Sequence, residues 1–443
     1  MRTSNFYLFP LKETPNDAFL ISHKLMLRSN MIRQSATGIY TWLPLGLIVL
    51  KNIEKIIREL HHECSVHELL MPTIQSADLW KKSERYSDYG KEMLRILDRN
   101  KSELLYGPTN EELITDIVSK DIKSYKDFPK ILYHIQWKFR DEVRPRFGVM
   151  RCREFLMKDA YSFDTSYENA YLSYCKMFLL YLKIFKMLGV KALPFKAETG
   201  PIGGSLSHEF ILETSNGESE IFYDNRIYDI NFQDIDPDNS CKIKKIVSDY
   251  CEYYSCTKEK HDEKLFNKSI SERNRKISKG IEVGHIFYFG DKYSKSMNAS
   301  VDYNGKKEFV KMGSYGVGVS RLVGAIIEAK YDDKNEIMKW PISVSPYDCC
   351  IIPIINKNDN SNLQRATNIY NDLKKNNLDV LIDDTDENLS SKIKKFNLLG
   401  IPFQIIIGKN FNKKKIEFKE INKETQFISL DEIIKIIKNK KLF

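Results

Sequence analysis

Apolar residues recur along the chain with two spacings, and each spacing predicts a different kind of element. A repeat of three to four residues, typical of an amphipathic helix, runs through residues 45–60, 167–188 and 317–330. Residues 131–139 and 280–289 have a strand-like pattern. The remaining predicted segments are shorter: strands at 66–71 and 155–158, and a helix that begins at residue 111.

The pattern changes at two places and so predicts how the chain is divided. Between residues 225 and 279, Lys, Asp, Glu, Asn and Ser are frequent and the periodicity weakens, which predicts an insertion. Trp340-Pro341 and Pro346 predict a linker, so we expect one domain over residues 1–340 and another over 341–443. The second region predicts a small α/β domain with a mainly parallel sheet. Its segments are strands at 349–355, 380–382 and 404–407, and helices at 362–375 and 389–398.

Composition narrows the class of protein. The chain has 443 residues, of which 42% are hydrophobic, and this predicts two or three packed domains. The net charge of +9 fits a polyanionic partner such as nucleic acid, and it fits a lysine-rich solvated surface equally well. The first ten residues show no targeting signal, and no stretch is long and apolar enough for a membrane span. We therefore expect a soluble cytoplasmic protein.

The eight cysteines do not predict a disulfide framework in a chain of this length. Cys349 and Cys350 lie in a strand-like run and are expected to pack as small apolar residues. Cys251 and Cys256, with Cys241 and His261 near them in sequence, have a C-x4-C spacing with no second tight pair. We therefore expect no zinc site.

A dense cluster of arginines is the first candidate for chemistry. Five arginines fall between residues 140 and 153, in a segment that Pro145 and Gly148 interrupt, and the segment predicts a strand, a loop and a second strand. Guanidinium groups on such a hairpin can converge on one anion, because their planar forks suit phosphate oxygens. An aromatic side chain such as Phe155 can stack on a base. The other interpretation is a surface hairpin whose arginines pair with nearby acids.

The run from Gly313 to Arg321, Gly-Ser-Tyr-Gly-Val-Gly-Val-Ser-Arg, is the second candidate. It predicts a glycine-rich turn before a helix, where backbone can approach a ligand closely and the helix N-terminus favours an anion. It has neither the sixth-position glycine of a dinucleotide fingerprint nor the Gly-Lys-Ser/Thr of a P-loop. Arg321 can reach a nucleotide there by ion pairing and by stacking.

These two segments together resemble motifs 2 and 3 of the class II aminoacyl-tRNA synthetases, and a preceding helix and strand resemble motif 1. Three motifs in the right order are far more specific than any one of them. The matching residues are Phe139-Arg140-x-Glu142 and Arg151-x-x-x-Phe155-x-x-x-Asp159 for motif 2, Gly316-x-Gly318-x-x-Arg321 for motif 3, and residues 46–72 for motif 1.

Further segments resemble the prolyl-tRNA synthetases of this class. Thr109-Asn110-Glu111 resembles their Thr-x-Glu loop, and residues 203–210 resemble their Gly-Gly-x-x-Ser-His-Glu-Phe strand. The resemblance covers the chain except about residues 226–278. It implies an α+β fold: a class II catalytic domain with an antiparallel sheet flanked by helices, followed by an α/β anticodon-binding domain.

The resemblance also implies the reaction and the residues that contact ATP. ATP would activate L-proline to prolyl-adenylate, and the prolyl group would then move to the 3′ end of tRNA(Pro). Arg140, bridging the proline carboxylate and the α-phosphate, and Arg321 would be the catalytic residues. The other implied ATP contacts are Glu142 at the adenine amino group or bracing the loop, Arg151 at the γ-phosphate, Phe155 stacking on adenine with Arg321, and Gly316 and Gly318.

For proline itself, the resemblance implies that Thr109 and Glu111 bind the charged ring nitrogen, Arg140 the carboxylate, and that His208 lines the pocket. The residues alone leave two alternatives open. Glu111 would complement the charge of a helix N-terminus, and His208 would be a hydrogen-bonded structural histidine. Magnesium is expected to bridge phosphates while keeping several waters, with Glu209 as a candidate contact.

The family's longer members carry an editing domain between motifs 2 and 3, and only roughly fifty residues stand there in this chain, too few for a domain of ordinary size. The resemblance therefore implies a compact form without cis-editing. Motif 1 implies a homodimer. Two alternatives stay open: a class II synthetase for another amino acid, and a non-catalytic paralogue that binds tRNA.

In the C-terminal region, Asp383-Asp384 and Leu399-Gly400-Ile401-Pro402 fit an anticodon-binding domain. Asn388-Leu389-Ser390-Ser391-Lys392 stands where such domains often have Arg-x-Gly-x-Lys, so the residues that read the anticodon are not assigned. The lysines at 413–415 and 435–441 would contact backbone phosphate or would simply be solvated.

Overall fold

The computed structural model of the protein describes residues 1–15, 18–200, 204–232, 235–303, 305–356, 359–408, 411–412 and 414–441. Three of the segments discussed above fall partly outside these residues: 203–210 at Gly203, 225–279 at Gln233-Asp234, and 413–415 at Lys413.

Helices and strands alternate along the described chain. The strands are β1 (Ile32–Ala36), β2 (Ile39–Trp42), β3 (His67–Glu68), β4 (Ile74–Ser76), β5 (Arg95–Leu97), β6 (Glu103–Tyr106), β7 (Lys130–Phe139), β8 (Glu154–Asp164), β9 (Ala192–Lys196), β10 (Leu206–Glu213), β11 (Ser219–Asp224), β12 (Ser255–Thr257), β13 (Arg275–Gly290), β14 (Ser300–Tyr303), β15 (Lys306–Phe309), β16 (Lys311–Gly318), β17 (Tyr331–Asp332), β18 (Ile337–Met338), β19 (Cys349–Pro353), β20 (Val380–Ile382), β21 (Phe403–Ile407), β22 (Ile416–Glu420) and β23 (Gln426–Ile428).

The helices are α1 (Ile21–Arg28), α2 (Pro44–Glu63), α3 (Ala77–Lys82), α4 (Arg85–Asp88), α5 (Glu111–Asp121), α6 (Tyr167–Met187), α7 (Ser240–Glu252), α8 (Glu263–Ser269), α9 (Lys292–Ser296), α10 (Val319–Lys330), α11 (Ser361–Lys375), α12 (Leu389–Leu399) and α13 (Leu430–Lys441). Among the described residues, no helix combines the length and the apolar composition that crossing a bilayer requires.

A nine-stranded sheet forms the centre of the first region, in the order β10-β9-β12-β11-β13-β16-β8-β7-β3. Its pairs are antiparallel except β3 with β7 and β12 with β9. Strand β13 pairs with β16 along one edge, and with β11 and then β10 along the other. The expected antiparallel sheet is therefore confirmed, and β7 and β13 confirm the strands predicted at 131–139 and 280–289.

Helix α6 covers one face of this sheet because it is apolar around most of its circumference. The rings of Phe178, Tyr181 and Phe185 all lie against Phe210 of β10. On the neighbouring strand, a Cβ at Gly284 would lie 3.2 Å from ring atoms of Tyr181 and Phe185, so the glycine permits the close approach of helix and sheet. The opposite face of the same strands is left to line the cavity described below.

The prediction of a glycine-rich turn between Gly313 and Gly318 is wrong. These residues form β16, which pairs with β13 on one edge and β8 on the other and leads directly into α10. A Cβ on Gly316 would overlap the Cε of Met157, so this glycine makes room beside a neighbouring strand. Glycine inside a strand leaves the same local signal as glycine in a turn, and only the pairing distinguishes the two.

The polar segment at 225–279 is ordered where the structure describes it. Helix α7 packs on α6, and β12 enters the large sheet between β9 and β11. A small core made of Phe222, Cys256, Phe266 and Ile270 holds β12 and α8 together. The segment therefore adds a strand to the sheet of the first region.

The C-terminal region contains a five-stranded sheet in the order β20-β19-β21-β22-β23. The first three strands are parallel, as predicted, while β22 and β23 add antiparallel pairs that the sequence pattern did not predict. Cys349 and Cys350 are fully buried, which confirms that they pack as apolar residues. One sheet face has its own core with α11 and α13, and the other, through Cys350 and Leu381, joins the core of the first region.

Asp164, at the end of β8, gives the fold a pH dependence. Its carboxylate is buried and accepts one hydrogen bond, from Ser173 Oγ at 2.9 Å, while Oδ2 has no partner among the described residues. Burial raises the pKa of Asp164 to about 7. The folded protein therefore keeps a proton that the unfolded chain releases, and stability falls as the pH rises from the ordinary carboxyl range to about 7.

We predict that Asp164→Asn raises the melting temperature relative to the parent chain by more at pH 8 than at pH 5, because Asn pays no cost of ionisation. The difference between the two pH values corresponds to roughly 1.4 kcal/mol for each pH unit from 5 up to the folded-state pKa of about 7, because the part of the shift below pH 5 acts at both. Thermal unfolding at the two pH values measures it. Asp386→Asn, at an exposed position, is the control and should change little at either pH. A gain from Asp164→Asn that is equal at both pH values would contradict the assignment.

Candidate active site

A cavity of about 360 Å³ opens on the sheet face opposite α6. It lies where the loop after β7, the strands β8, β13 and β16, and the start of α10 come together. Side-chain alternation along these strands decides which residues face it. Every residue expected to contact ATP lines this cavity: Arg140, Glu142, Arg151, Phe155, Gly316, Gly318 and Arg321.

Arg140 stands at the inner end of the cavity, where β7 ends. Its Nη2 donates to the carbonyl oxygen of Pro108 at 3.2 Å, and its guanidinium lies 5.3 Å from the centre of the Phe155 ring. Its Nε is buried without a hydrogen-bond partner among the described residues. Burial opposes its charge, but Tyr89, Glu111 and Glu282 outweigh burial and raise its pKa. Arg140 is therefore a fixed cation with hydrogen-bonding capacity to spare.

Three of the other four arginines of the hairpin pair with local acids, as the alternative interpretation of this hairpin supposed. Arg151 lies 2.9 Å from Glu142 and 3.6 Å from Glu218, and Arg146 lies 3.1 Å from Glu218. In addition, Arg153 pairs with Asp141. Arg151 and its partner Glu142 remain at the cavity wall, half exposed, where an anion can displace the pairing.

Arg321 reaches the cavity from the first turn of α10. Its Nη1 donates to the carbonyl oxygen of Glu282 at 2.9 Å and lies 3.5 Å from the Glu282 carboxylate. The neighbouring Ser320 fixes the helix, because its Oγ accepts from the amide of Leu156 on β8 at 3.1 Å. These contacts align the start of α10 with the two strands that carry Phe155 and Glu282.

Thr109 and Glu111 lie beside Arg140, at the start of α5. Glu111 is buried and accepts hydrogen bonds from Thr109 Oγ1 at 2.6 Å, from Ser314 Oγ at 3.1 Å and from Arg85 Nη1 at 3.1 Å. Arg85 also donates to Glu112, at 2.9 Å. Two buried carboxylates thus share one guanidinium, and burial raises the pKa of Glu112.

Arg85, Glu112 and Ser314 were not among the predicted site residues. A signal for Arg85 is present in the sequence, because two adjacent acids that head a helix and are both buried require a cation nearby. The position of that cation, 26 residues earlier in the chain, depends on how α4 packs against α5.

A network of buried polar groups fixes the loop that carries Thr109 and Glu111. The hydroxyl of Tyr161 accepts from the amide of Asn110 at 3.0 Å and donates to Asp159 Oδ2 at 2.6 Å. Asp159 also lies 3.2 Å from Lys138 Nζ and 2.9 Å from His134 Nε2. Burial would raise the pKa of Asp159, but these two neighbours hold it below its usual range.

His208 lies on the other side of the sheet from the rest of the candidate site. Its Nδ1 is 2.6 Å from the hydroxyl of Tyr174 on α6, and its Nε2 is 3.8 Å from Cys251 Sγ. Burial lowers its pKa to about 3, so it is neutral at ordinary pH. Since Ser207 and Glu209 face the cavity side, strand alternation directs His208 toward α6. We therefore leave His208 out of the pocket formed by Thr109, Glu111 and Arg140.

Glu209 is close to two other potential metal ligands on the cavity side. His285 Nδ1 lies 3.8 Å from Glu209 and 3.4 Å from Glu282, and no other trio of His, Cys, Asp or Glu in the described chain brings its ligand atoms this close. Burial and the charge of Glu282 raise the pKa of Glu209 to about 8. Burial would raise the pKa of Glu282, but its contacts with His285 and Arg321 outweigh burial and lower the pKa to about 2.

Two carboxylates that repel each other fit a hard divalent cation such as magnesium, because the ion removes the repulsion and prefers oxygen ligands. The cysteines considered for zinc lie elsewhere. Cys256 belongs to the small core under β11, Cys241 is exposed, and His261 stacks on Phe222 with ring centres 3.7 Å apart.

Comparisons with known proteins agree with the arrangement of the two regions. Residues 91–330 match a family model described as the tRNA synthetase class II core domain (G, H, P, S and T), and residues 348–440 match one described as the anticodon binding domain. A proline--tRNA ligase from Pelagibacter ubique is 58% identical over 443 residues, covering 100% of both chains. One from Bartonella henselae is 53% identical over 424 residues, covering 95% of each chain.

A solved structure has the same fold at much lower sequence identity. The prolyl-tRNA synthetase from Cryptosporidium parvum, complexed with L-proline and AMP, matches with a TM-score of 0.74 at 16% identity, covering 98% of this chain and 78% of that one.

We predict that Tyr161→Phe destabilises the protein by about 1–3 kcal/mol, because it leaves the amide of Asn110 and one oxygen of Asp159 without their hydrogen bonds. Denaturant unfolding measures the effect. Tyr133→Phe on β7 is the matched control, since that hydroxyl makes one bond of 3.2 Å to the half-exposed Glu68. Equal effects of the two substitutions would show that the network does not hold the loop.

Proposed function

The chain belongs to the class II aminoacyl-tRNA synthetases and, within them, to the proline--tRNA ligases, and from this we propose that it activates L-proline with ATP and transfers the prolyl group to tRNA(Pro). One observation supports the proposal above all others. A buried acidic cluster, in which Glu111 and Glu112 pair with Arg85, adjoins an arginine-lined cavity, and Arg140 stands between the two. Such a pair of sites suits a zwitterionic amino acid beside a nucleoside triphosphate.

The acidic cluster of Glu111, Glu112 and Arg85 recognises the amino group of proline. The secondary ammonium of proline binds Glu111, a buried carboxylate that already pairs with the cation Arg85. Thr109 and Ser314 already hold the two oxygens of Glu111, so the carboxylate is oriented before the ligand arrives. Arg85 in turn lies among the rings of Trp80, Tyr89 and Tyr293, which hold its guanidinium beside the two carboxylates.

In the first step a carboxylate oxygen of proline bonds to the α-phosphorus of ATP, and the bond from that phosphorus to the β-phosphate oxygen breaks and releases pyrophosphate. Arg140 contacts both the carboxylate and the α-phosphate, aligns them, and stabilises the charge that develops on the phosphoryl oxygens. Its fixed position, from the Pro108 carbonyl and the Phe155 ring, limits the reorganisation that this requires. The second step passes the prolyl group from the adenylate to the terminal ribose of the tRNA and releases AMP.

The remaining ATP contacts follow from the cavity wall. Phe155 and Arg321 enclose the adenine, Glu142 holds its amino group or the loop, and Arg151 meets the γ-phosphate. Gly316 and Gly318 leave room for the nucleotide. Glu209 and Glu282 would hold magnesium. When bound, the ion supplies positive charge that offsets the negative charge of the phosphate oxygens.

The C-terminal region at 341–443 binds the anticodon arm of the tRNA, and the protein acts as a homodimer in the cytoplasm. The support for the dimer is the edge of the large sheet, where β3 is the last strand and Leu70, just beyond it, is 80% exposed. A second copy covering this edge removes both the apolar surface and the open strand from water.

We predict that pyrophosphate exchange into ATP, measured with a panel of amino acids, is fastest by far with proline. A maximum with threonine, serine or glycine would assign the chain to another specificity, and no exchange with any amino acid would favour a non-catalytic tRNA-binding protein. Arg140→Ala should lower proline-dependent exchange by about a hundredfold or more, the range found when a transition-state donor is removed. Arg144→Ala, exposed in the same loop, is the control and should retain exchange.

We also predict that the enzyme activates alanine detectably and does not hydrolyse alanyl-tRNA(Pro). A pocket built for proline rejects the smaller alanine weakly, because the lost apolar contact is worth about 1–3 kcal/mol. The described residues between β11 and β13 form α7, β12 and α8, and β12 belongs to the large sheet. Deacylation of alanyl-tRNA(Pro) by the purified enzyme measures editing. A rate well above spontaneous hydrolysis would contradict the prediction.

A further inference from the structure

Residues 2–4, at the start of the catalytic region, are bound to the C-terminal region. The Arg2 Nη1 lies 3.6 Å from Asp384 Oδ2, and its Nη2 donates to Thr367 Oγ1 at 3.0 Å. The amide of Ser4 donates to Asp384 Oδ1 at 2.9 Å, and its hydroxyl donates to Asp384 Oδ2 at 2.7 Å. The Asp384 side chain is 11% exposed, and its partner Ser4 is exposed.

Backbone contacts reinforce this attachment. Arg2 forms a parallel bridge to Ile382 at the outer edge of β20, where the five-stranded sheet would otherwise end. The amide of Ile382 donates to the carbonyl oxygen of Met1 at 3.0 Å, and Thr3 Oγ1 donates to the carbonyl oxygen of Ile382 at 3.0 Å. An edge strand that gains main-chain partners in this way becomes a docking site for the segment.

Beyond Ser4 the same segment leads to the ATP cavity. The ring of Phe6 meets that of Tyr347, and the amide of Leu11 donates to the carbonyl oxygen of Arg28 in α1 at 2.8 Å. Leu20, just before α1, lines the cavity, and the amide of Ser22 donates to Glu328 of α10 at 2.7 Å. One stretch of chain thus contacts both the anticodon-binding region and the wall of the nucleotide cavity.

A second set of contacts joins the two regions at the linker. Trp340 Nε1 donates to the carbonyl oxygen of Leu399, and Asn52 Nδ2 donates to that of Ser345. Two attachments at different elements restrict rotation of one region against the other more than either does alone. A tRNA that must reach the anticodon-binding region and the cavity together depends on this orientation, whereas proline and ATP do not.

We infer that Arg2, Thr3, Ser4 and Asp384 form an interdomain latch that sets the anticodon-binding region for the tRNA step. They are positioning residues, because none of them lies at the cavity. The inference rests on the proposed function, since it concerns transfer to tRNA. It also assigns a role to the Asp383-Asp384 pair: Asp384 binds residues 2–4, and Asp383 binds Thr3 as well as Thr385 and Lys395, which lie before and within α12.

The test compares two reactions in the same full-length variants: proline-dependent pyrophosphate exchange, and charging of tRNA(Pro). Ser4→Ala and Asp384→Ala should each lower kcat/KM for tRNA by about tenfold, as the loss of a hydrogen bond to a charged group allows, and leave exchange within about twofold of the parent. Ser4→Thr keeps the hydroxyl and should restore charging. Asp386→Ala, exposed two residues beyond Asp384, is the matched control.

The double variant Ser4→Ala/Asp384→Ala distinguishes the latch from direct recognition of tRNA by Asp384. If the two residues act through their mutual contact, the double variant is no worse than the more affected single variant. Independent, multiplying effects would overturn the inference, and so would an equal loss of exchange. Melting temperatures identify a variant that fails to fold. Should Asp384→Ala fail to fold, Asp384→Asn replaces it in the same cycle.

Failure of the inference and failure of the proposed function give different results. If the parent chain shows no proline-dependent exchange, the proposed function is wrong. If the parent exchanges and charges normally and both single variants charge tRNA(Pro) at the parental rate, the proposed function stands and the latch is wrong.

Discussion

The buried ion pair between Lys138 and Asp159 joins the neighbouring strands β7 and β8 of the large sheet to the loop that carries Thr109 and Glu111. The ammonium and the carboxylate lie 3.2 Å apart with almost no exposure, so removing them from water carries a large cost. Neighbouring groups offset that cost: His134 and Tyr161 bind the carboxylate, and Asn110 binds the ammonium. Because breaking such a pair leaves a buried charge without a partner, the strands and the loop keep one relative position.

The electrostatics of the candidate site follow from that position. On one side, Glu111 and Glu112 share the guanidinium of Arg85. On the other, Arg140 and Arg321 face the cavity close to Glu209 and Glu282. Each group is held before any ligand arrives, so ligand binding replaces contacts and requires little rearrangement of the backbone. This suits a reaction in which alignment and charge stabilisation supply most of the acceleration.

Helix α6 determines which face of the sheet, and so which alternate side chains of each strand, can take part in this site. It buries one face of β8, β10, β13 and β16, and Gly284 lets it approach closely. Residues that alternate with the site residues are thereby removed from it. His208 is the clearest example: it adjoins Glu209 in sequence, yet it lies in the α6 interface, bonded to Tyr174.

The sequence by itself determined the family and several of the elements. Local periodicity predicted β7, α6, α11 and the strands around Cys349 and Phe403, because spacing of apolar residues depends only on the element's own geometry. Motif residues such as Arg140 and Arg321 were identified by their spacing within single segments. These segments line one cavity in the structure, as the resemblance implied.

Tertiary structure alone decided the relations between segments. Pairing on both edges made Gly313 to Gly318 a strand, and packing of α4 on α5 brought Arg85 to Glu111. Alternation against α6 turned His208 away from the cavity, and the edge of β20 received residues 2–4 from the opposite end of the chain. Each of these depends on contacts between residues distant in sequence, and such contacts leave no signal in the spacing of neighbouring residues.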